Sequence, residues 1–362
     1  MTDWRNRAIE LKKSLSWTET AKTIQTEYFP RDELSIVYNR VRAHVRRNGE
    51  IPKTANLADL IKTGKSISDI SSKMGVSERV ALACIEDMKD EGYCIDLVNG
   101  IYKLSHTPHY EPKTIDVDWK GDKIIRFGML GDTQINSKYT QITYLHEAYD
   151  IFEREGIETV YHTGDLDDGE KMRPGHEYEI YTHGSDDHVD EIVKVYPKRK
   201  KVKTKFICGN HDAAYIKLAG IDIGEQVQGK RDDMEYLGQS QAFINLTPNC
   251  TLELRHPNDG TAYAISYKIQ KMIDAMSGGE KPNILAVGHY HKKDDLFYRN
   301  VHSIQTGCLQ AQTPFMRGRS ISAVLGYFII EIHVDDAGQI ARLKPEFFPF
   351  YKAIPEDYKN WR

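Results

Sequence analysis

Four apolar runs in the 362-residue chain stop at a glycine and pass straight into side chains that can hold metal ions or move protons. They end in Gly131-Asp132-Thr133-Gln134, Gly164-Asp165-Leu166-Asp167-Asp168, Gly209-Asn210-His211-Asp212 and Gly288-His289-Tyr290-His291. Open α/β folds gather ligands at the carboxyl ends of their strands, and a glycine there lets the chain turn sharply toward a shared point. Asp, Asn and His supply mixed oxygen and nitrogen donors, a set that suits manganese, iron or zinc better than calcium and, without cysteine, does not make a structural zinc site. Two divalent ions about 3.5–4 Å apart and bridged by a carboxylate can hold a hydroxide and clamp a phosphoryl group for in-line attack. The chemistry implied is hydrolysis of a phosphate ester.

Strands must deliver these ends to one place. KIIRFGMLGD, ETVYHTGD, KTKFICGN and NILAVGH read as strands, TQITYLHEAYDIFEREG as a helix, and HSIQTG and YFIIEIHV as further strands. The alternation predicts a layered α/β domain over residues 122–362. Ahead of it, SHTPHYEPKTIDVDWKGD, with Pro108 and Pro112, reads as a linker at 107–121.

The first 106 residues read as two small units. Residues 1–50 give helices in a helix-turn-helix-like arrangement, with Val37, Val41 and Val45 as a buried stripe that leaves Arg40, Arg42, Arg46 and Arg47 on other faces. Residues 51–106 give a short helix at 57–61, a capping box from Ser66 to Asp69, a turn at Gly75, and a helix opening after Ser77. Asn99-Gly100 then suits a two-residue hairpin. This order is that of a winged helix-turn-helix, in which the helix starting near Ser77 enters a DNA groove. That helix carries Arg79 but also five carboxylates, so the N-terminal arginines are the stronger candidates for phosphate contact.

The ordered motifs resemble the calcineurin-like metallophosphoesterases, whose pattern is D-x-H, G-D-x-x-D, G-N-H-[DE], an isolated His, and G-H-x-H. The resemblance spans roughly residues 123–335. It implies a two-sheet α/β sandwich in which Asp132, Gln134, Asp165 and His291 hold a first ion, and Asp165 bridges to a second held by Asn210, His256 and His289. His256 lacks a motif of its own, but it follows the strand-like TLELR and is the only histidine between His211 and His289. The resemblance also makes His211 the group that binds the phosphate and protonates the leaving oxygen, oriented by Asp168. Gln134 departs from the pattern, since it stands where the family most often has histidine. Its neutral amide oxygen is a harder, weaker donor, which disfavours zinc and lowers occupancy of the first site. Two divalent ions are therefore expected, manganese first, with magnesium, iron or zinc as alternatives. His162 is expected to be packed, and His176, His183 and His188 to be exposed histidines of an insertion after the second motif.

The position after Asp168 is glycine, where the protein phosphatases of this superfamily carry arginine. The chain is more similar to the phosphodiesterase and DNA-repair nuclease branch, especially to phage and prophage forms with N-terminal DNA-binding regions. The reading is thus a metal-dependent DNA nuclease with DNA as partner. A phosphodiesterase for cyclic or dinucleotide substrates, and a DNA- or partner-binding protein with a weakened metal site, remain as alternatives.

Charge and composition fit this reading. The chain carries 49 Lys+Arg and 53 Asp+Glu, net −4, but residues 1–110 are net +2 and the remainder net −6. Five dispersed cysteines and the lack of a long apolar run predict a cytoplasmic protein with no membrane partner, and the resemblance to phage and prophage forms implies a bacterial or phage-infected cell. A homo-oligomer is left open.

Overall fold

The computed structural model describes residues 4–12, 15, 17–30, 34, 37–38, 41, 45, 54–90, 93, 95–98, 100–104 and 112–362 other than 261 and 278. The chain divides into two compact units, Met1–His109 and Tyr110–Arg362.

In the first unit α1 (Trp4–Lys12) and α2 (Trp17–Tyr28) are followed by α3 (Thr54–Ile61), β1 (Lys65–Ser66), α4 (Ile67–Met74), α5 (Glu78–Asp90) and the hairpin of β2 (Ile95–Val98) and β3 (Ile101–Leu104). The Ser66 hydroxyl accepts the Asp69 N–H at 3.1 Å to start α4, and Gly75, at φ 66°, ends it. Val98 pairs with Ile101 across the hairpin, and β1 adds to β3. Leu57, Ile61, Ile70, Ala81, Ile85 and Met88 form one core, and Ala8, Ile24, Val37, Val41 and Val45 form another. Lys12 Nζ lies 2.5 Å from Asp87 Oδ2, both side chains buried, tying α1 to α5. The stretches read as separate domains therefore share one compact unit. Arg79 is exposed in the first turn of α5, whereas Arg40, Arg42, Arg46 and Arg47 lie outside the described residues.

The second unit holds two six-stranded sheets. Its strands are β4 (Lys113–Asp116), β5 (Ile124–Leu130), β6 (Thr159–His162), β7 (Lys203–Cys208), β8 (Met234–Gln239), β9 (Gln241–Thr247), β10 (Cys250–Arg255), β11 (Ile284–Val287), β12 (Lys293–Tyr298), β13 (Val301–Thr306), β14 (Gly326–Val334) and β15 (Ile340–Pro349). One sheet runs β12-β13-β11-β10-β9-β4, the other β15-β14-β5-β6-β7-β8. The segment read as a linker thus supplies β4. Ile115 and Trp119 turn apolar surface onto the inter-sheet core, which outweighs the two nearby prolines.

Phe127, Met129, Ile244, Leu252, Ile304 and Phe328 fill the space between the sheets. The helices of this unit are α6 (Ile142–Arg154), α7 (Ser185–Val195), α8 (Ala214–Ala219), α9 (Ile223–Lys230), α10 (Tyr267–Ala275) and α11 (Pro314–Gly318). Leu145, Ala148, Tyr149 and Phe152, at helical spacing on α6, pack with Val160 and Phe206 on the outer face of one sheet. Ile269 and Ile273 of α10 pack with Leu285 and Val287 of the other. The result is four layers, helix, sheet, sheet and helix. Among the described residues no helix is long and apolar enough to cross a membrane.

Candidate metal centre

Parallel pairing of β5, β6 and β7 brings their carboxyl ends to one edge, and parallel pairing of β10 with β11 does the same in the second sheet. The loops leaving these strands carry Asp132, Asp165, Asn210, His256 and His289. Asp132, Gln134, Asp165, His289 and His291 all sit at positive φ, between 48° and 77°. Each such residue costs about 1–3 kcal/mol, and strain of this kind concentrates where geometry serves function. Small residues make room for the loops. A Cβ on Gly209 would collide with the Asp165 carboxylate and come within 2.7 Å of His256 Nε2, and one on Gly288 would lie 3.0 Å from Asp132 Oδ2.

Asp165 is the hub. Its Oδ2 lies 3.2 Å from His256 Nε2 and accepts the Gln134 amide at 2.9 Å, while its Oδ1 accepts the His211 backbone N–H at 2.9 Å. Asn210 Oδ1 is 3.2 Å from His256 Nε2. Asp132 accepts the His289 N–H on both oxygens, at 3.0 and 2.9 Å, and its Oδ1 is 3.3 Å from His291 Nε2. All seven residues that the resemblance assigned to metal therefore meet in one cluster.

Two carbonyl groups orient the rings. His256 Nδ1 bonds the Thr163 carbonyl at 2.8 Å, and His289 Nε2 bonds the Asp259 carbonyl at 2.6 Å. Each bond leaves the other ring nitrogen for the centre, as outer hydrogen bonds to metal-binding histidines generally do. Asp165, His256 and His289 each offer one ligand atom, all within 4.8 Å of one another, a group that could hold a divalent ion. The donors fit such an ion further: Gln134 Oε1 and His291 Nδ1 are buried with no hydrogen-bond partner among the described residues, an arrangement costly unless something pairs with them.

The electrostatics follow from crowding carboxylates and imidazoles in a dry site. Burial opposes ionisation of Asp165, but His256 and His211 hold its carboxyl well below the usual range. Burial would lower His256 too, yet Asp165 and Asp132 push it up to about 9. Burial and the neighbouring His256 hold His289 down at about 4, which leaves its ring neutral with a lone pair to give.

Beside the cluster, His211 Nδ1 bonds the backbone carbonyl of Asp168 at 2.6 Å, and the Asp168 carboxylate oxygen Oδ1 stands at 3.4 Å. The orientation expected from the Asp168 side chain is thus supplied first by its main chain. Despite burial, Asp165 and Asp168 push His211 up to about 9. Burial works against ionisation of Asp168, but His176 and His211 bring its carboxyl down to about 2. Asp168 also accepts the Gln310 amide at 3.2 Å and faces His176 Nε2 at 3.4 Å. A cleft of about 310 Å³ opens over these groups, walled further by Arg173, Asp259, Tyr290, Phe315 and Met316.

No protein-family model matches the chain. A curated relative, the DNA polymerase II small subunit of Methanothermobacter thermautotrophicus, is 26% identical over 198 residues, covering 45% of this chain and 40% of that protein. The chain therefore spans less than half the length of this relative. Among solved structures it is similar to a novel archaeal phosphodiesterase (TM-score 0.34, 14% identity, covering 61% of this chain and all of that one). It is also similar to the hypothetical protein PH1004 of Pyrococcus horikoshii (0.39, 14%, 65% and 91%). A third likeness is to Vps29 of Entamoeba histolytica complexed with zinc (0.30, 16%, 62% and 99%).

Several site residues escaped the sequence reading. His176 and His188 are fully buried rather than exposed: His188 Nδ1 lies 2.8 Å from Asp167 Oδ2, and His176 faces Asp168. The insertion folds back onto the second motif, a tertiary contact that leaves no local signal. Only His183 is exposed, near Glu170. His162 is packed, with its Nε2 3.1 Å from the Thr133 hydroxyl. Asp212 is a brace that accepts the backbone N–H groups of Leu166, Asp167 and Gly209 at 3.1, 2.8 and 2.7 Å. Arg173, Gln310 and Asp259 stand outside every motif, so spacing could not single them out.

Proposed function

We propose that this protein is a metal-dependent phosphodiesterase of the calcineurin-like metallophosphoesterase type, acting on DNA. The observation that carries the reading is the convergence of five strand-end loops on Asp165, with strained ligand backbones and an orphaned Gln134 oxygen. Asp132, Gln134, Asp165 and His291 would hold one divalent ion, and Asp165, Asn210, His256 and His289 a second, manganese being the ion that suits the amide donor. Such ions supply an activated water and neutralise charge on the phosphoryl oxygens. The chain's own part is to place His211 in the cleft with Nδ1 bound to Asp168, so that Nε2 carries the proton given to the leaving oxygen.

The name of the polymerase-subunit relative supports DNA as the substrate. So does the N-terminal unit, which we read as a winged helix-turn-helix region whose basic residues, Arg79 and the arginines at 40, 42, 46 and 47, hold the phosphate backbone. Tethering such a region raises the effective concentration of polymer at the cleft.

The test incubates the full chain and manganese with bis(4-nitrophenyl) phosphate, plasmid DNA and cyclic nucleotides. Cleavage of dye and plasmid, abolished by EDTA and by Asp165→Ala, is the result expected. Turnover of cyclic nucleotides alone would replace DNA by a small substrate, and no metal-dependent turnover would end the hydrolase reading.

A further inference from the structure

Arg173 and Arg319 come from segments far apart in sequence, yet both guanidinium groups lie over the ring of Phe315, 4.3 and 4.8 Å from its centroid. Phe315 and Arg173 line the metal cleft together with Asp165, His211 and His289. Arg173 belongs to the insertion after the second motif and is largely buried against Glu179. Arg319 is exposed, and no described residue gives its guanidinium an ion pair or a hydrogen bond.

The loop that presents Arg319 is firmly held. Thr313 caps α11 by accepting the Met316 N–H at 3.3 Å, and Ile321 N–H returns to the Met316 carbonyl at 2.9 Å. Gln312 Nε2 donates to the Ile321 carbonyl at 2.7 Å. Arg317, only two residues away, points elsewhere and lines a separate cavity with Tyr139 and Tyr358. The fold therefore stacks one of two neighbouring arginines on Phe315, a ring of the cleft wall.

Two guanidinium groups on one ring with a single carboxylate between them leave a surplus positive charge. The ring's quadrupole offsets part of their repulsion. An anion offsets the rest, and the fork of an arginine fits phosphate oxygens well. The rest of the same cleft is acidic, lined by Asp165, Asp168 and Asp259, so this wall is the place where an added anion is welcome.

Resting on the phosphodiesterase reading, we infer that the Arg173–Phe315–Arg319 wall binds a second phosphate group of the substrate, one flanking the diester under attack. Arg319 donates to that phosphate, and Arg173, held by Glu179, keeps Phe315 and Arg319 in place. The site is then built for a chain of phosphodiesters, an oligonucleotide, rather than for an isolated diester.

The experiment is a fluorescence-anisotropy titration of the full chain with a fluorescein-labelled single-stranded oligodeoxynucleotide, in EDTA, across a range of salt. Arg319→Ala is expected to weaken binding about tenfold at low salt. It should also flatten the dependence of log Kd on log salt by about 0.7, the share of one phosphate contact on a single strand. Arg317→Ala should leave both unchanged. Equal affinity and slope for wild type and Arg319→Ala, or an equal loss in Arg317→Ala, overturns the inference. Because no metal is present, that failure is separate from an absence of manganese-dependent hydrolysis, which would overturn the reading beneath it.

Discussion

The Gln134 amide donates to Asp165 Oδ2 at 2.9 Å and leaves its own Oε1 buried with no partner among the described residues. One side chain thus binds the hub carboxylate and offers a free oxygen, where the related pattern places an imidazole. Replacing it by imidazole should tighten the first site. Gln134→His is expected to raise zinc affinity at least about tenfold relative to manganese, read by competitive metal titration of the full chain. Unchanged selectivity would show that Gln134 does not face an ion.

His211 is oriented by the main chain of Asp168, with the carboxylate behind it. Removing the imidazole in His211→Ala should lower kcat on a diester dye by about 10²–10⁴-fold while metal content, measured by elemental analysis, stays level. Asp168 contributes to the raised proton affinity of His211. In Asp168→Asn the alkaline limb of the kcat profile should therefore move to lower pH. A limb that stays put would assign it to another group.

His188 and Asp167 form a buried pair at 2.8 Å. Burial lowers the proton affinity of His188, but Asp167 more than reverses it, so its folded value lies above 6.5. The stabilisation it contributes is full below about pH 6.5 and is lost as pH rises through the folded value. Asp167→Ala strands a buried imidazolium and should cost about 3–5 kcal/mol, measured by denaturant unfolding at pH 6. The difference between wild type and His188→Gln should shrink as the measurement moves to alkaline pH. A difference constant with pH would contradict the charged pairing.

The strand ends and the donor side chains that follow them were legible in the sequence because each is a local pattern, an apolar run broken by glycine and then by donors. Even His256, without a motif, could be placed by its position after a strand. What could not be read were partners made by folding over. His176 and His188 turn inward because the insertion closes on Asp167 and Asp168, and Arg173 finds Phe315 across more than a hundred residues. β4 escaped because two prolines outweighed the alternation of Ile115 and Trp119. The main-chain hold on His211 had no sequence signal, since a carbonyl belongs to every residue.

Lys12 and Asp87 form a buried ion pair that joins the first helix to α5. Asp87→Ala should destabilise the N-terminal unit by about 3–5 kcal/mol, whereas the double variant Lys12→Met, Asp87→Leu should come close to wild type. Thermal unfolding of the three proteins gives the comparison. Equal losses in single and double variants would mean that packing, and not the charge pair, sets the cost.

The hydrolytic reading of the cleft depends on cations at Asp165. A crystal of the full chain soaked in manganese, with anomalous scattering recorded at the manganese edge, tests this directly. Two anomalous peaks flanking the Asp165 carboxylate, one toward Gln134 and His291 and one toward Asn210 and His256, are predicted. No peak within coordination distance of Asp165 would contradict the metal centre and the hydrolytic function built on it.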